Sequence, residues 1–301
     1  MLHLVHHPGY VAPGAPGTGM LFDKYGLVAM ALDEAGAAYE IHRPAPMPRG
    51  WIEAVHDPNY VDEVLTSTVP PDKERRIGFP VTPRVSRRSQ LSPGGTWLAA
   101  QLALRLGYAA NGAGGSHHAL YDTGAGYCVF NDLAIAANRL VAEGTVDRVL
   151  IVDLDVHQGD GTAALTAGRD DIVSFSMHGE RNFPVRKARS DLDVALPDGT
   201  GDDAYLEALV AHLPALMKAV RPDIVLYQAG VDPHEADRLG RLSLSDAGLE
   251  ARDRFVMRQA RNLGIPLASV LGGGYGVDRM AVARRHAMSM RVLADEHTKS
   301  G

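Results

Sequence analysis

Three side chains suited to metal binding occur at alternate positions, directly after an apolar run. Asp153, Asp155 and His157 follow the apolar run 149–152. Because side chains alternate along an extended chain, all three point to one side as long as the chain stays extended. A carboxylate and an imidazole two residues apart can share one divalent ion, and such ligands suit zinc or ferrous iron. The alternative, a helix-capping Asp beside a solvated His, fits three aligned groups less well.

A second acidic segment follows another apolar run and offers a third ligand. Asp232, His234 and Asp237 lie in the segment 229–240, after the run 223–228. All three side chains have the chemistry of a metal ligand, and their spacing does not choose among them. An Asp-rich loop beside a helix start is the purely structural alternative.

Two adjacent histidines, His117 and His118, add groups that transfer protons. Neighbouring imidazoles can divide general-base and electrostatic duties when separate carboxylates set their pKa values. Asp153 and Asp160 are the natural sources of those carboxylates. A histidine pair on a loop is otherwise a common solvent-exposed feature.

The glycine run 272–274, followed by Tyr275, comes after the last strong apolar run. Three glycines permit close backbone approach and present the Tyr275 hydroxyl, which could polarise a carbonyl. The run is a poor phosphate-binding loop, because no Lys-Ser/Thr follows it and no Gly-x-Gly-x-x-Gly frames it.

Short apolar runs alternate with longer amphipathic segments along the chain. The runs predict buried parallel strands at 2–5, 148–153, 171–176, 223–228 and 265–271. The amphipathic segments predict helices at 96–106, 131–143, 204–220 and 245–263. This alternation predicts an α/β fold with a mainly parallel sheet, in which ligand sites form beyond the carboxyl ends of the strands. Two stretches, 12–19 and 69–95, are expected to be surface loops.

The composition excludes several classes of protein. The chain has 301 residues, of which 46% are hydrophobic and 22% charged, and strand signals run from end to end, so we expect one domain over 1–301. A net charge of -6 disfavours nucleic acid and acidic membranes as partners. The single cysteine, Cys128, excludes an internal disulfide and fits a reducing compartment, so we expect a cytoplasmic protein without an export signal or membrane span.

Six motifs in order resemble the zinc-dependent histone deacetylase-like proteins, which have the arginase/deacetylase fold. The motifs are His117-His118, 126–132, 153–161, Ser176-Met177-His178, 232–237 and Gly273-Gly274-Tyr275. The resemblance covers roughly residues 20–280 and implies a three-layer α/β/α domain. The run Phe22-Asp23-Lys24-Tyr25, together with the segment 237–240, most resembles the bacterial and class IV members.

The resemblance implies two ion sites. It assigns a catalytic zinc ion, or ferrous iron in the cell, to the ligands Asp155, His157 and Asp237. It therefore favours Asp237 over Asp232. It also implies a structural potassium ion, bound by the side chains of Asp153 and Ser176 and by main-chain carbonyls of residues such as Asp155, His157 and Met177.

The resemblance further implies a role for each remaining group. His118 is the implied general base, oriented by Asp160, while His117 pairs with Asp153 and either stays neutral or acts electrostatically. Tyr275 stabilises the oxyanion. The substrate stem is implied to lie in a tunnel formed by Gly126, Tyr127, Phe183 and Gly274. Cys128 is interpreted as a small buried side chain and not as a nucleophile.

The activity implied is a metal-dependent amidohydrolase that removes an acetyl or longer acyl group from lysine in a protein or peptide. An acetylpolyamine amidohydrolase, acting on a small acylated amine, is the alternative within the fold. Arg238 stands where that alternative favours a gatekeeper acid. A non-catalytic acyl-amine-binding protein is a second alternative, but every implied metal and acid/base position holds a competent residue.

Overall fold

The computed structural model describes residues 1–12 and 24–299, which contain one sheet of eight strands. The strands are β1 (Leu2–Val5), β2 (Tyr39–His42), β3 (Tyr108–Asn111), β4 (Val149–Asp153), β5 (Ile172–Gly179), β6 (Leu192–Leu196), β7 (Ile224–Gln228) and β8 (Leu267–Val270). Their order across the sheet is β2-β1-β3-β8-β7-β4-β5-β6, and every neighbouring pair is parallel. The predicted parallel α/β architecture is confirmed.

Helices cover both faces of the sheet. They are α1 (Lys24–Glu34), α2 (Arg49–Glu53), α3 (Pro58–Thr66), α4 (Pro71–Ile77), α5 (Pro83–Leu106), α6 (Asp132–Ala142), α7 (Asp160–Thr166), α8 (Asp202–Val220), α9 (Asp246–Asn262) and α10 (Arg279–Thr298). Strand β4 shows how the helices pack on the two faces of the sheet. Its residues Leu150 and Val152 pack into one apolar cluster, and Val149 and Ile151 pack into another. The first cluster includes α8, α9 and α10, and the second includes α6 and much of α5. The apolar runs lack polar alternation because both of their faces are buried.

The prediction of a surface loop at 69–95 is wrong, because this stretch contains α4 and the first half of α5. Thr82 caps α5 by accepting a hydrogen bond from the Val85 N–H at 3.3 Å, and Pro83 occupies the first helical position, where a missing N–H leaves no bond unmade. The buried positions here are mostly small residues, among them Ser86, Ser89 and Ser92. The apolar repeat that predicts a helix is therefore absent from the sequence.

Two sequence predictions lie partly outside the described residues. The structure does not describe residues 13–23, which include residues 13–19 of the predicted loop at 12–19. They also include Phe22 and Asp23 of the run that most resembles the bacterial and class IV members. Among the helices that the structure does describe, we found none with the length and apolarity needed to span a membrane.

The four central strands β3, β8, β7 and β4 are neighbours, and the chemically suggestive segments all follow one of them. The histidine pair follows β3, the Asp-x-Asp-x-His segment ends β4, the acidic segment follows β7 and the glycine run follows β8. Parallel pairing places the carboxyl ends of these strands at one edge, so the topology gathers the segments there.

Candidate active site

Asp155, His157 and Asp232 come together at this edge, beyond β4 and β7. The Nδ1 atom of His157 lies 3.0 Å from Oδ1 of Asp155 and 3.0 Å from Oδ2 of Asp232. All three side chains are buried, and one potential ligand atom from each lies within 4.8 Å of the other two. Two carboxylates and one imidazole are a ligand set that zinc or ferrous iron accepts, with further positions left open.

Backbone groups hold both carboxylates in place. Oδ1 of Asp232 accepts a hydrogen bond from the Val156 N–H at 2.9 Å, and Oδ2 of Asp155 accepts one from the Gly273 N–H at 2.7 Å. A Cβ on Gly273 would lie 1.9 Å from Oδ2 of Asp232, and one on Gly230 would lie 2.4 Å from Oδ2 of Asp155. Only glycine permits this approach, and the donor set that results fits a divalent ion.

The structure contradicts the prediction that Asp237 is the third member of this group. Oδ1 of Asp237 accepts hydrogen bonds from the N–H groups of Leu239 and Gly240, at 2.8 and 2.9 Å. Its Oδ2 accepts a hydrogen bond from the Tyr275 N–H at 2.6 Å. Asp232 follows β7 closely and reaches the sheet edge, whereas Asp237 lies beyond a turn. Asp237 therefore holds the backbone of Tyr275 in place.

Each histidine of the pair donates a hydrogen bond to its own carboxylate. Nδ1 of His117 lies 2.7 Å from Oδ2 of Asp153, and Nδ1 of His118 lies 2.6 Å from Oδ1 of Asp160. Both imidazoles are buried, and their ring centroids are 4.0 Å apart. Because a carboxylate only accepts, Nδ1 carries the proton in each ring, and Nε2 of a neutral ring is then the basic atom.

Burial disfavours the charge on both histidines, but the neighbouring charges differ. At His117, attraction by Asp153 and Asp155 outweighs burial and raises the pKa to about 9. At His118, burial and repulsion from His117 outweigh the effect of Asp160 and lower the pKa to about 3. In the metal-free protein one imidazole is therefore charged and the other neutral at pH 7.

A cavity of about 470 Å³ reaches these groups from the surface. Its buried lining includes His118 and His157, and the half-buried Gly126 and the more exposed aromatic rings of Tyr127 and Phe183 also line it. The Phe183 ring meets that of His118 edge-on, with centroids 4.8 Å apart. Tyr127 and Phe183 therefore lie where the family resemblance implies a tunnel for the acyl-amine stem.

Tyr275 lines the same cavity, whereas Gly274 does not. The Tyr275 ring lies 6.1 Å from that of His157 and 5.9 Å from that of Tyr127, between centroids. A Cβ on Gly274 would meet Val231, Val282 and His286. Gly274, which the family resemblance implies as a substrate-binding residue, is not among the described residues that line this cavity.

The loop that carries Tyr127 is anchored on the end of α4. The N–H groups of Gly126 and Tyr127 donate hydrogen bonds to the carbonyls of Arg76 and Ile77, at 3.1 and 2.8 Å. Tyr127 has a φ of 67°, a left-handed conformation that a non-glycine residue seldom adopts. The α4 end therefore fixes one wall of the cavity.

The residues predicted to bind potassium also cluster. Asp153 and Ser176 are opposite each other in the β4–β5 register, and both side chains are buried. Met177, which follows Ser176 on β5, is buried as well. Oδ1 of Asp153 accepts a hydrogen bond from the Asp155 N–H at 3.1 Å. The side chains of Asp153 and Ser176, a carboxylate and a hydroxyl, are oxygen ligands of the kind that a hard monovalent cation accepts.

Two positioning residues are not among the site residues predicted from the sequence. Asp132 is buried, and its carboxylate accepts hydrogen bonds from the N–H groups of Ser116 and Gly115, at 2.7 and 3.2 Å, which holds the loop before the histidine pair. Lys24 is buried and donates to the Gly272 carbonyl at 3.0 Å. Both belonged to motifs carrying the family resemblance, but their contacts depend on folding.

Comparisons with known proteins identify relatives of this chain. The histone deacetylase domain family matches residues 22–291. An uncharacterized protein of Picosynechococcus is 44% identical over 294 residues, covering 97% of this chain and 98% of that one. Histone deacetylase 2 of Arabidopsis thaliana is 33% identical over 263 residues, covering 84% of this chain and 68% of that protein. A probable deacetylase of Methanothermobacter is 33% identical over 229 residues, covering 72% and 67%.

Among solved structures, the crystal structure of the HDA15 HD domain matches with a TM-score of 0.80, over 97% of this chain and 90% of that one. Its sequence identity is 21%, so this likeness supports the fold alone. The family match extends over most of the chain and includes every group of the site described above. This chain belongs to the histone deacetylase family.

Proposed function

We propose that this hydrolase of the histone deacetylase family is a zinc-dependent deacylase, which removes an acetyl or longer acyl group from lysine in a protein or peptide. One observation carries the proposal. A buried Asp-His-Asp group, two His-carboxylate pairs and a tyrosine meet at one aromatic-walled cavity. That combination supplies what amide hydrolysis needs, namely a metal site, a base and an oxyanion donor.

Asp155, His157 and Asp232 would hold the zinc ion or, in the cell, ferrous iron. Bound there, the ion would supply Lewis-acid activation of the amide carbonyl and of the attacking water. The backbone contacts of Asp155 and Asp232 fix the two carboxylates before any ion binds. Asp153 and Ser176, with main-chain carbonyls of residues such as Asp155, His157 and Met177, would hold a structural potassium ion.

His118 is the group that transfers the proton. Its Nδ1–H is engaged by Asp160, so Nε2 is available to take a proton from water and to return it to the leaving amine. His117, held by Asp153, contributes positive charge close to the reacting atoms. The two products are a carboxylate and a free amine.

Tyr275 donates its hydroxyl hydrogen bond to the oxyanion that develops from the amide carbonyl. Burial and the charge of Asp155 raise the pKa of Tyr275 well above its ordinary value, so the hydroxyl stays protonated and remains a donor. Tyr127 and Phe183 hold the lysine stem between their rings, and the Gly126 carbonyl accepts from the amide N–H. Cys128 has no part in this chemistry, since burial raises the pKa of its thiol far above neutrality.

The proposal includes one catalytic domain and a cytoplasmic location. The family match over residues 22–291 supports a single domain. The only cysteine, Cys128, is buried and unpaired, which is compatible with a reducing compartment.

The proposal is tested by stripping the protein of metal, adding zinc back, and measuring the acid released from lysine peptides acylated with chains of increasing length. We expect zinc to restore turnover. The matched variant is His118→Ala, which should retain zinc and peptide binding but lose turnover. Equal turnover without metal, or full turnover in His118→Ala, would contradict the mechanism.

A further inference from the structure

The outer part of the active-site cavity is basic. Among the fourteen described residues that line it, none is an aspartate or glutamate and four are arginines: Arg75, Arg76, Arg181 and Arg241. We call these four the arginine rim. The side chains of Arg181 and Arg241 are 74% and 56% exposed, so both guanidinium groups are open to a ligand. Arg75 and Arg76 are exposed at the end of α4.

The charge of the arginine rim is only partly balanced by the protein. Asp198 is the one carboxylate that the described part of the chain pairs with two of its members, with Oδ2 3.1 Å from Arg241 and 4.0 Å from Arg181. Within the described residues, Arg75 and Arg76 have no ion pair. Glu74 does not supply one, because its Oε1 accepts from the Val81 N–H at 2.7 Å. The chain as a whole carries a charge of -6, so this positive surface has the opposite sign to the protein.

The position of the arginine rim decides which half of a substrate would meet it, an argument that rests on the proposed function. The reacting carbonyl lies at the buried end of the cavity, near His118 and Tyr275. The acyl group occupies that end, and the amine half extends past Tyr127 and Phe183 to the surface. A lysine side chain has a four-carbon stem, so the atoms around its α-carbon reach the mouth.

We propose that the arginine rim selects acylated lysines whose amine half carries a carboxylate. Guanidinium groups bind carboxylates through paired hydrogen bonds, and a mouth lined by one sign of charge concentrates ligands of the opposite sign. A cationic acetylpolyamine would place its ammonium groups among four guanidinium groups and be repelled. The arginine rim therefore disfavours the polyamine alternative.

Two sources could supply the carboxylate. One is an acidic residue beside the acylated lysine of a peptide, and the other is the α-carboxylate of free Nε-acetyl-lysine. Both present a carboxylate at the mouth of the cavity, so the chemistry of recognition is shared. Two matched substrate pairs separate them.

The experiment measures kcat/KM on an acetyl-lysine peptide flanked by Asp against the same peptide flanked by Asn, and on free Nε-acetyl-lysine against its α-amide. One exposed ion pair changes affinity by roughly 1.4- to 5-fold. Several arginines together should give an acidic preference of about tenfold for one of the two pairs, shrinking as salt screens the charges. The pair that shows the preference identifies the source of the carboxylate.

Variants connect the preference to the arginine rim. Arg75→Gln combined with Arg76→Gln should reduce the ratio of acidic to neutral kcat/KM, mainly through KM, and Arg181→Glu should bring it to one or below. Arg291→Gln is the matched control, because this exposed arginine lines a separate cavity at α10 and should leave the ratio unchanged. Arg241 is left intact, since its guanidinium group also donates a hydrogen bond to Asp198 at 3.1 Å.

Binding of the same substrate pairs is measured by fluorescence anisotropy of labelled forms, and the two Kd values of each pair are compared as a ratio. The inference therefore does not depend on turnover. Hydrolysis of the neutral substrates with no acidic preference in either pair would refute this inference and leave the proposed function standing. Absence of any hydrolysis would refute the proposed function, and the Kd ratio would then decide the role of the arginine rim. A preference that survives in all rim variants would also overturn the inference.

Discussion

Asp237→Ala should leave zinc bound and slow the reaction, whereas Asp232→Ala should remove the metal. The first change deprives three backbone N–H groups of their acceptor, including that of Tyr275 at 2.6 Å. A hydrogen bond to a charged group contributes about 1.5–3 kcal/mol when buried, and Asp237 is only half-buried, so we expect to lose about 1–3 kcal/mol of unfolding free energy in total. Because the Tyr275 hydroxyl loses its fixed position, kcat should fall by up to roughly 10²- to 10³-fold, the cost of one oxyanion donor.

The assay measures zinc content, thermal unfolding and kcat for both variants after metal removal and addition of equimolar zinc. A second group with metal-ligand chemistry, His3, Glu40 and His42, lies where β1 pairs with β2. Both variants are therefore made in a His3→Ala background, so that zinc bound at this second group is not counted.

Asp237→Asn is the matched variant for this prediction. It keeps an acceptor oxygen for the Tyr275 N–H and should recover part of the lost kcat. Full zinc occupancy in Asp232→Ala, together with zinc loss in Asp237→Ala, would refute the reasoning and restore Asp237 as the ligand.

Three further predictions concern other groups of the protein. Tyr275→Phe should keep zinc while kcat falls about 10²- to 10³-fold, and an unchanged kcat would make the tyrosine a packing residue. His118→Ala should reduce kcat/KM on one acetyl-lysine peptide far more than His117→Ala, with zinc content near normal in both; the opposite order would exchange their roles. Burial opposes the charge on Glu296, but the cations paired with it lower its pKa to about 2. Glu296→Gln should therefore lower unfolding free energy by about 1–3 kcal/mol at pH 7. That loss should vanish as the pH falls from about 4.5 towards 2, and a pH-independent loss in denaturant melts would count against the ion pairs.

Five of the eight strands could be predicted from the sequence, whereas the two edge strands and the short central strand β3 could not. Strands β4 and β7 are fully buried, so their residues form continuous apolar runs. Strand β2 (Tyr39–His42) lies at one edge and β6 (Leu192–Leu196) at the other, and both are largely half-buried or exposed. Their mixed composition gives no apolar run. Helix α10 was missed for a related reason, since charged residues are spread around its buried positions.

The candidate site shows the same division between local and non-local information. The alternate spacing of Asp155 and His157 is a local property, and the sequence was sufficient to bring them together as candidates. The choice between Asp232 and Asp237 depends on where the chain turns after β7, which spacing does not encode. The arginine rim combines residues from α4 and from the segments after β5 and β7, so only the folded topology makes it a group.

The central claim, that Asp155, His157 and Asp232 hold the catalytic ion, is tested most directly by crystallising the zinc-loaded protein and collecting anomalous diffraction on both sides of the zinc absorption edge. We predict a strong zinc peak about 2 Å from one atom of each of these three side chains, at the buried end of the cavity. A zinc peak bonded to the carboxylate of Asp237, with Asp232 outside coordination distance, would contradict the account.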